Sequence, residues 1–253
     1  MILLLVYAGA MKVAAYQAPL LPPGSMDALG LIQERIRWCE SVGVSILCCP
    51  EAILGGLADQ SEEPRAFART TTSDETGIES LLAPLASETV TTILGFSELS
   101  SGKLYNSAVV LQKGRVIGIY RKLHPAIRQS VYSAGSGMPV FMVGGVKFGI
   151  LICYDSTFPE PAAIMAAQGA RIFFIPTNNA LPAAREHLRV VHDARATDVT
   201  RAVEAGVWLV RADVAGASSG LRSYGSSGIV DPTGRVVRQA KLKRPDLLVA
   251  DVA

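Results

Sequence analysis

Residues 145–170, GVKFGILICYDSTFPEPAAIMAAQGA, run from an apolar stretch that stops at Cys153 into a helix-like segment. Strand, sharp turn and helix in that order form a building unit of layered α/β proteins, so this stretch confines the chain to that class. It also sets a thiol at a strand's C-terminal edge, where the first N–H groups and positive end of the next helix favour a thiolate. Two readings stay open from this stretch alone. Free cysteine is among the most buried residue types, so a packed core cysteine is the commoner case and a presented nucleophile the sharper one.

The remaining chain repeats the alternation. Residues 12–17 read as a first strand. Leu29, Ile32, Ile36 and Cys39 recur at three- and four-residue steps, predicting an amphipathic helix from an N-cap at Ser25 to a stop at Gly43. SILCCPE at 45–51 predicts a short buried strand ending in Pro50 and Glu51, and residues 58–89 read as a loosely polar helical cover for one sheet face. TTILGFSEL, KLYNSAVVLQ and GRVIGIYRKLH then predict strands. The last two are joined by a Lys113-Gly114 hairpin turn, and the third stops at Lys122. After a loop at 123–138 come VFMVGG, VKFGILIC, RIFFIPTNN, a long helix at about 183–205, VWLVRAD and the strand-turn-strand GIVDPTGRVV. This is a mixed-sheet α/β pattern, with two sheets packed between helices as one arrangement of it.

With 253 residues, 49% hydrophobic and 18% charged, the chain is long enough for one large domain, expected over residues 11–253. Residues 1–10 are apolar but too short to span a bilayer and lack a basic leader region, so they are expected to be an extension ahead of Met11. No other segment is apolar for long enough to be transmembrane, and membrane partners are not expected. The net charge of +2 comes without a basic stripe, which argues against a nucleic-acid partner. Cys39, Cys48, Cys49 and Cys153 lie in or beside apolar segments without a CxxC spacing, which suits reduced thiols and a cytoplasmic setting. His187 and His192 fall five apart on a helix, on different faces, and there is no HExxH, P-loop or GxGxxG, so neither a metal nor a cofactor is expected.

Glu51, Lys122 and Cys153 share one description: each sits where an apolar run stops. Brought to one sheet edge they would make a complete acyl-transfer site, with Glu as proton acceptor, Cys as nucleophile and Lys as the stabilising charge. His124, two residues past Lys122, is a rival partner for the thiol. Sequence spacing alone brings none of them together.

PE at 50–51, LYNSAVVLQKGRVIGIYRKLHP at 104–125, ICYDSTFPE at 152–160, TRAVEAGVWLVRAD at 200–213 and YGSSGIVDPTGRVV at 224–237, in that order, resemble the nitrilase superfamily of carbon–nitrogen hydrolases. The resemblance spans nearly everything from Met11 to Ala253. It implies an α/β fold of the four-layer αββα sandwich type, and Glu51, Lys122 and Cys153 as a catalytic triad. It also implies the backbone N–H of Tyr154 as a second oxyanion donor. The implied reaction is hydrolysis of a non-peptide carbon–nitrogen bond in a small amide or N-carbamoyl compound, through a cysteine thioester, in a homodimer or larger homo-oligomer. Cys-Tyr-Asp at the nucleophile resembles the amidase branches more than the nitrilases, which tend to carry Cys-Trp-Glu. Nitrile hydrolysis on the same triad and a catalytically silent binding relative are the alternatives.

Two departures stand out. LHPAIRQSVYSAGSGMPVF holds no carboxylate where many members carry a second glutamate. The nearest matching position is Arg128, either a receptor for an acidic substrate group or a solvent-facing arginine. Ser156-Thr157 stand where relatives often have an arginine before the Phe. Asn178 in IPTNN reads equally as a pocket wall and as a turn asparagine.

Overall fold

The computed structural model describes residues 11–71 and 77–252, and the expectation for residues 1–10 lies outside them. The strands are β1 (Met11–Pro19), β2 (Ile46–Cys48), β3 (Thr91–Ser100), β4 (Lys103–Gln112), β5 (Arg115–Arg121), β6 (Phe141–Val143), β7 (Val146–Ile150) and β8 (Ile172–Pro176). They continue as β9 (Leu181–Pro182), β10 (Trp208–Ala212), β11 (Val214–Ser218), β12 (Leu221–Ser223), β13 (Gly228–Val230), β14 (Val236–Gln239) and β15 (Asp246–Val252). The helices are α1 (Ala28–Ser41), α2 (Ile78–Leu82), α3 (Pro159–Ala167) and α4 (His187–Ala205).

One sheet runs in the order β5-β4-β3-β2-β1-β11-β12-β9, with β15 antiparallel to β1; the other runs β14-β13-β10-β8-β7-β6. Both have parallel centres, β11-β1-β2-β3 in the first and β7-β8-β10 in the second, with antiparallel pairs beyond them. Successive side chains on a strand point to opposite faces. Val13 and Ala15 of β1 therefore enter the space between the sheets, where Ile46, Cys48, Ile93 and Ala108 meet Phe148, Ile150, Phe174 and Val210. Ala14 and Tyr16 point the other way, onto Ile32, Ile36 and Cys39 of α1. On the far side, Ala162 and Met165 of α3 and Ala202 of α4 cover Phe173, Ile175 and Leu209. Helix, sheet, sheet and helix follow one another, which is the expected four-layer sandwich.

Local signals set the ends of α1 to within a turn. The helix begins after Asp27, whose N–H is taken by Ser25 Oγ at 3.2 Å, and it closes ahead of Gly43, whose φ is +72°. The helical cover expected over 58–89 is a correction. Among the described residues that span holds only α2 and two single 3₁₀ turns, Ala58–Gln60 and Ala83–Leu85. Pro64 and Pro84 cannot donate within a helix. Moreover, Arg69 exchanges backbone bonds with Ser97 and Leu99 beside β3, both at 2.9 Å, so the chain extends the sheet instead. What does reach the α1 layer is the pair Ile78 and Leu82, both buried there.

The parallel strands deliver their C-terminal ends to one rim. Glu51 follows β2 and donates its backbone N–H to Thr177 O, just past β8 of the other sheet, at 3.3 Å. The Pro50–Ala52 turn lies flat against β3: Gly95 N–H reaches Pro50 O at 3.2 Å, Leu54 N–H reaches Gly95 O at 3.3 Å, and Ala52 takes a φ of +47°. A Cβ on Gly95 would stand 2.2 Å from Ala52 N and 2.6 Å from Pro50 O. Because those neighbours are backbone, Gly95→Ala is expected to cost about 1–3 kcal/mol, a fall in Tm of roughly 3–10 °C by scanning calorimetry. An unchanged Tm would show this turn free to shift.

Candidate active site

Lys122 leaves β5 with its ammonium turned inward, 2.5 Å from Glu51 Oε1, and both side chains are almost wholly buried. Asn106 on neighbouring β4 serves both partners. Its Nδ2 donates to the same Glu51 oxygen at 2.7 Å, and its backbone carbonyl accepts the Lys122 backbone N–H at 2.8 Å. The second Glu51 oxygen accepts the backbone N–H of Asn178 at 2.9 Å. Burial alone drives an ammonium toward its neutral form. Here that desolvation is outweighed by the charge of Glu51, then by Cys153 and Asp155, and Lys122 is held above the ordinary lysine pKa.

Cys153 sits after β7 at the head of a 3₁₀ turn, Cys153–Thr157, and is half-buried, whereas Cys39, Cys48 and Cys49 are buried. Its φ is +47°, a left-handed conformation that a residue with a Cβ rarely adopts. Such a kink turns the side chain out of the strand line, as a presented nucleophile requires. The thiol is 3.8 Å from Asn179 Oδ1. Asn179 Nδ2 donates to Asp213 Oδ2 at 3.0 Å and Ser226 Oγ at 3.1 Å, which leaves its oxygen for the thiol. Burial first, then the charges of Glu51 and Asp213, push the Cys153 thiol up to about 12, against the pull of Lys122 and Arg211. The thiolate expected from a following helix is thus reversed: one short turn intervenes, and desolvation decides the resting state.

Asp155, two residues on, joins the Cys153 turn to the backbone after β5. Its fully buried carboxylate accepts Tyr120 Oη at 2.8 Å, Leu123 N–H at 3.3 Å, His124 N–H at 2.8 Å and Ile152 N–H at 3.2 Å. His124 Nδ1 lies 3.0 Å from it, and the imidazole stacks on Phe158 at 3.8 Å between ring centroids. His124 is therefore committed to Asp155, and its expected rivalry for the thiol finds no contact among the described hydrogen bonds.

The carbon-nitrogen hydrolase family model matches residues 12–253. The chain belongs to the carbon-nitrogen hydrolase family. It is 30% identical over 224 residues to a nitrilase of Pyrococcus abyssi, covering 87% of this chain and 81% of that one. It is 29% identical over 236 residues to N-carbamoylputrescine amidase of Arabidopsis thaliana, covering 86% and 78%. Among solved structures, a variant of the amidase from Nesterenkonia sp. AN1, showing covalent addition of the acetamide moiety of fluoroacetamide at its active site cysteine, superposes with a TM-score of 0.81. It is 25% identical, over 97% of this chain and 92% of that one. The glutamine-dependent NAD+ synthetase of Acinetobacter baumannii superposes with the same TM-score of 0.81 at 20% identity, and there this chain spans 46% of the longer protein.

Within this carbon-nitrogen hydrolase, Glu51 and Lys122 are in contact, and Cys153 lies close enough for both charges to act on its thiol. Asn178 contributes its backbone N–H to Glu51, while its side chain accepts the Ala180 N–H at 3.1 Å as a turn asparagine does. The neighbouring Asn179 is the one that reaches the thiol. Arg128 lies exposed on the 123–138 loop, and among the described hydrogen bonds and ion pairs none joins it to the site. That loop is anchored instead by Asp59, which accepts Ser130 Oγ at 2.9 Å and Val131 N–H at 2.7 Å. Asp155 adds a smaller negative influence on Lys122 to that of Glu51. Ser156 and Thr157, in place of the relatives' arginine, have their carbonyls met by Arg201 at 3.1 and 3.4 Å. Among the described residues no group of three or more His, Cys, Asp or Glu side chains is arranged to hold a metal ion, and no helix is long and apolar enough to cross a membrane.

With the thiol protonated at rest, alkylation of Cys153 by iodoacetamide is expected to rise about tenfold per pH unit between about pH 7 and 10, following the thiolate fraction. Lys122→Met slows it further at every pH. A plateau below pH 8 would show a resting thiolate and contradict the desolvated site.

Proposed function

We propose that this chain hydrolyses a small amide or N-carbamoyl compound through a thioester on Cys153, with Glu51 as proton carrier and Lys122 and the Tyr154 N–H as oxyanion donors. The reading is carried by the buried Glu51–Lys122 pair beside a half-buried cysteine whose thiol feels both charges.

As the sulfur attacks the carbonyl carbon, the thiol proton passes to Glu51 and the π pair moves onto oxygen. The negative oxygen meets the Lys122 ammonium and the N–H of the residue after the nucleophile, groups already in place before charge develops. Collapse of the intermediate breaks the carbon–nitrogen bond, and Glu51 returns its proton to the leaving ammonia or amine. Water then gives a proton to Glu51 as its oxygen bonds the thioester carbon. The second intermediate expels the sulfur, which recovers that proton, and the acid product departs. A thiol with a raised pKa suits this sequence, because deprotonation is coupled to attack. Cys-Tyr-Asp at the nucleophile, with the two relatives named amidases, favours amide over nitrile, against the one relative named a nitrilase.

Purified protein is expected to release ammonia from one or more members of a panel of small amides and N-carbamoyl compounds faster than from the matching nitriles, with Cys153→Ala at background. Release from nitriles alone would make this a nitrilase, and no release from any class would leave a binding relative.

A further inference from the structure

Beneath the nucleophile turn lies a run of buried donors that the proton transfers above do not use. Arg211 on β10 is 2% exposed and forks onto Asp198 of α4, with Nε 2.7 Å from Oδ2 and Nη2 2.5 Å from Oδ1. Its remaining donors go inward. Nη1 donates to Thr177 Oγ1 at 2.7 Å, and Nη2 also donates to Ser156 Oγ at 3.0 Å. The Ser156 hydroxyl, itself 1% exposed, donates in turn to the carbonyl oxygen of Cys153 at 2.8 Å.

That carbonyl and the Tyr154 N–H belong to one planar peptide unit, so they point in opposite directions. Fixing the oxygen fixes the direction in which the N–H is aimed. Hydrogen bonds in a chain also polarise one another, and an amide whose oxygen is pulled by a charge-backed hydroxyl is a stronger donor at nitrogen. The unit needs holding, because Cys153 at φ +47° occupies a region disfavoured for a residue with a side chain.

We propose that Arg211 and Ser156 form a buried relay that orients and polarises the Cys153–Tyr154 peptide, making both positioning residues for the reaction's oxyanion. The relay rests on the reading of the Tyr154 N–H as an oxyanion donor. Both residues are almost wholly buried and act through that peptide. Asp198 keeps the guanidinium in register, and Thr177, whose carbonyl also accepts the Glu51 N–H, ties the same cation to the base.

Ser156→Ala is the clean probe, since Arg211 keeps Asp198 and Thr177 as partners and no buried charge is orphaned. Butyraldehyde reads the oxyanion site directly: its carbonyl carbon bonds the Cys153 sulfur, the thiol proton passes to Glu51, and the π pair settles on oxygen. Its binding is measured as protection of Cys153 from iodoacetamide. Ser156→Ala is expected to weaken protection about tenfold, a part of the hundredfold or more that follows outright loss of an oxyanion donor. The alkylation rate without aldehyde stays within about twofold, and Ser156→Thr, which keeps the hydroxyl, restores protection. Unchanged protection in Ser156→Ala, or protection and bare alkylation falling by one common factor, would overturn the relay. Failure of butyraldehyde to protect the unsubstituted protein would remove the oxyanion reading and the relay together, whereas Cys153→Ala at background with Ser156→Ala unaltered would sink the relay alone.

Discussion

A carboxylate and an ammonium held 2.5 Å apart in a nearly dry interior are the constraint on which the rest of the rim depends. Removing two charges from water is costly, and their attraction compensates only if further hydrogen bonds satisfy the remaining positions. Asn106 and the Asn178 N–H do this for Glu51, and Asn106 comes from β4, the strand paired with β5 ahead of Lys122. A buried ion pair is poor support for stability as such, because well-packed apolar residues often do as well. Its value lies in the neighbouring thiol of Cys153, on which both charges act.

Other buried charges keep the turns carrying these groups together. Asp155 gathers the backbone after Lys122 and the turn of Cys153 onto one carboxylate. Asp213, after β10, accepts bonds from Asn179, Val214 and Ser226, and so aims the amide that faces the thiol. Arg211 and Asp198 sit below the same turn. Each is desolvated, and desolvation raises the pKa of Asp155 and Asp213 despite their donors. The rim is thereby built from loops, yet each is held by buried charges that are hydrogen-bonded in place.

The layered fold was legible because strand alternation and the α1 stripe are local signals, and the positions of Glu51, Lys122 and Cys153 at strand ends were legible for the same reason. The contact of Glu51 with Lys122 was not, since the two lie 71 positions apart. The family resemblance supplied that step. Nothing local marks Asp155, Asp198, Arg211 and Asp213 as buried charges, because each finds its partners across the fold: Tyr120 lies 35 positions from Asp155, and Asp198 lies 13 from Arg211. Choosing Asn178 over Asn179 was a matter of which side chain turns toward the rim beyond β8, and that depends on where the strand ends. The span 58–89 misled because its polarity resembles a surface helix, while its prolines and the part of β3 left open beyond the short β2 favour extended chain.

The most direct measurement is a double-mutant cycle on the buried pair, following hydrolysis of a responsive amide by Glu51→Gln, Lys122→Met and the two combined. If the pair acts as a unit on Cys153, each single substitution lowers kcat by about a hundredfold or more, and the combination adds no more than about tenfold beyond the worse single. Losses that multiply in full, or either single variant within about tenfold of the parent, would contradict a catalytic pair.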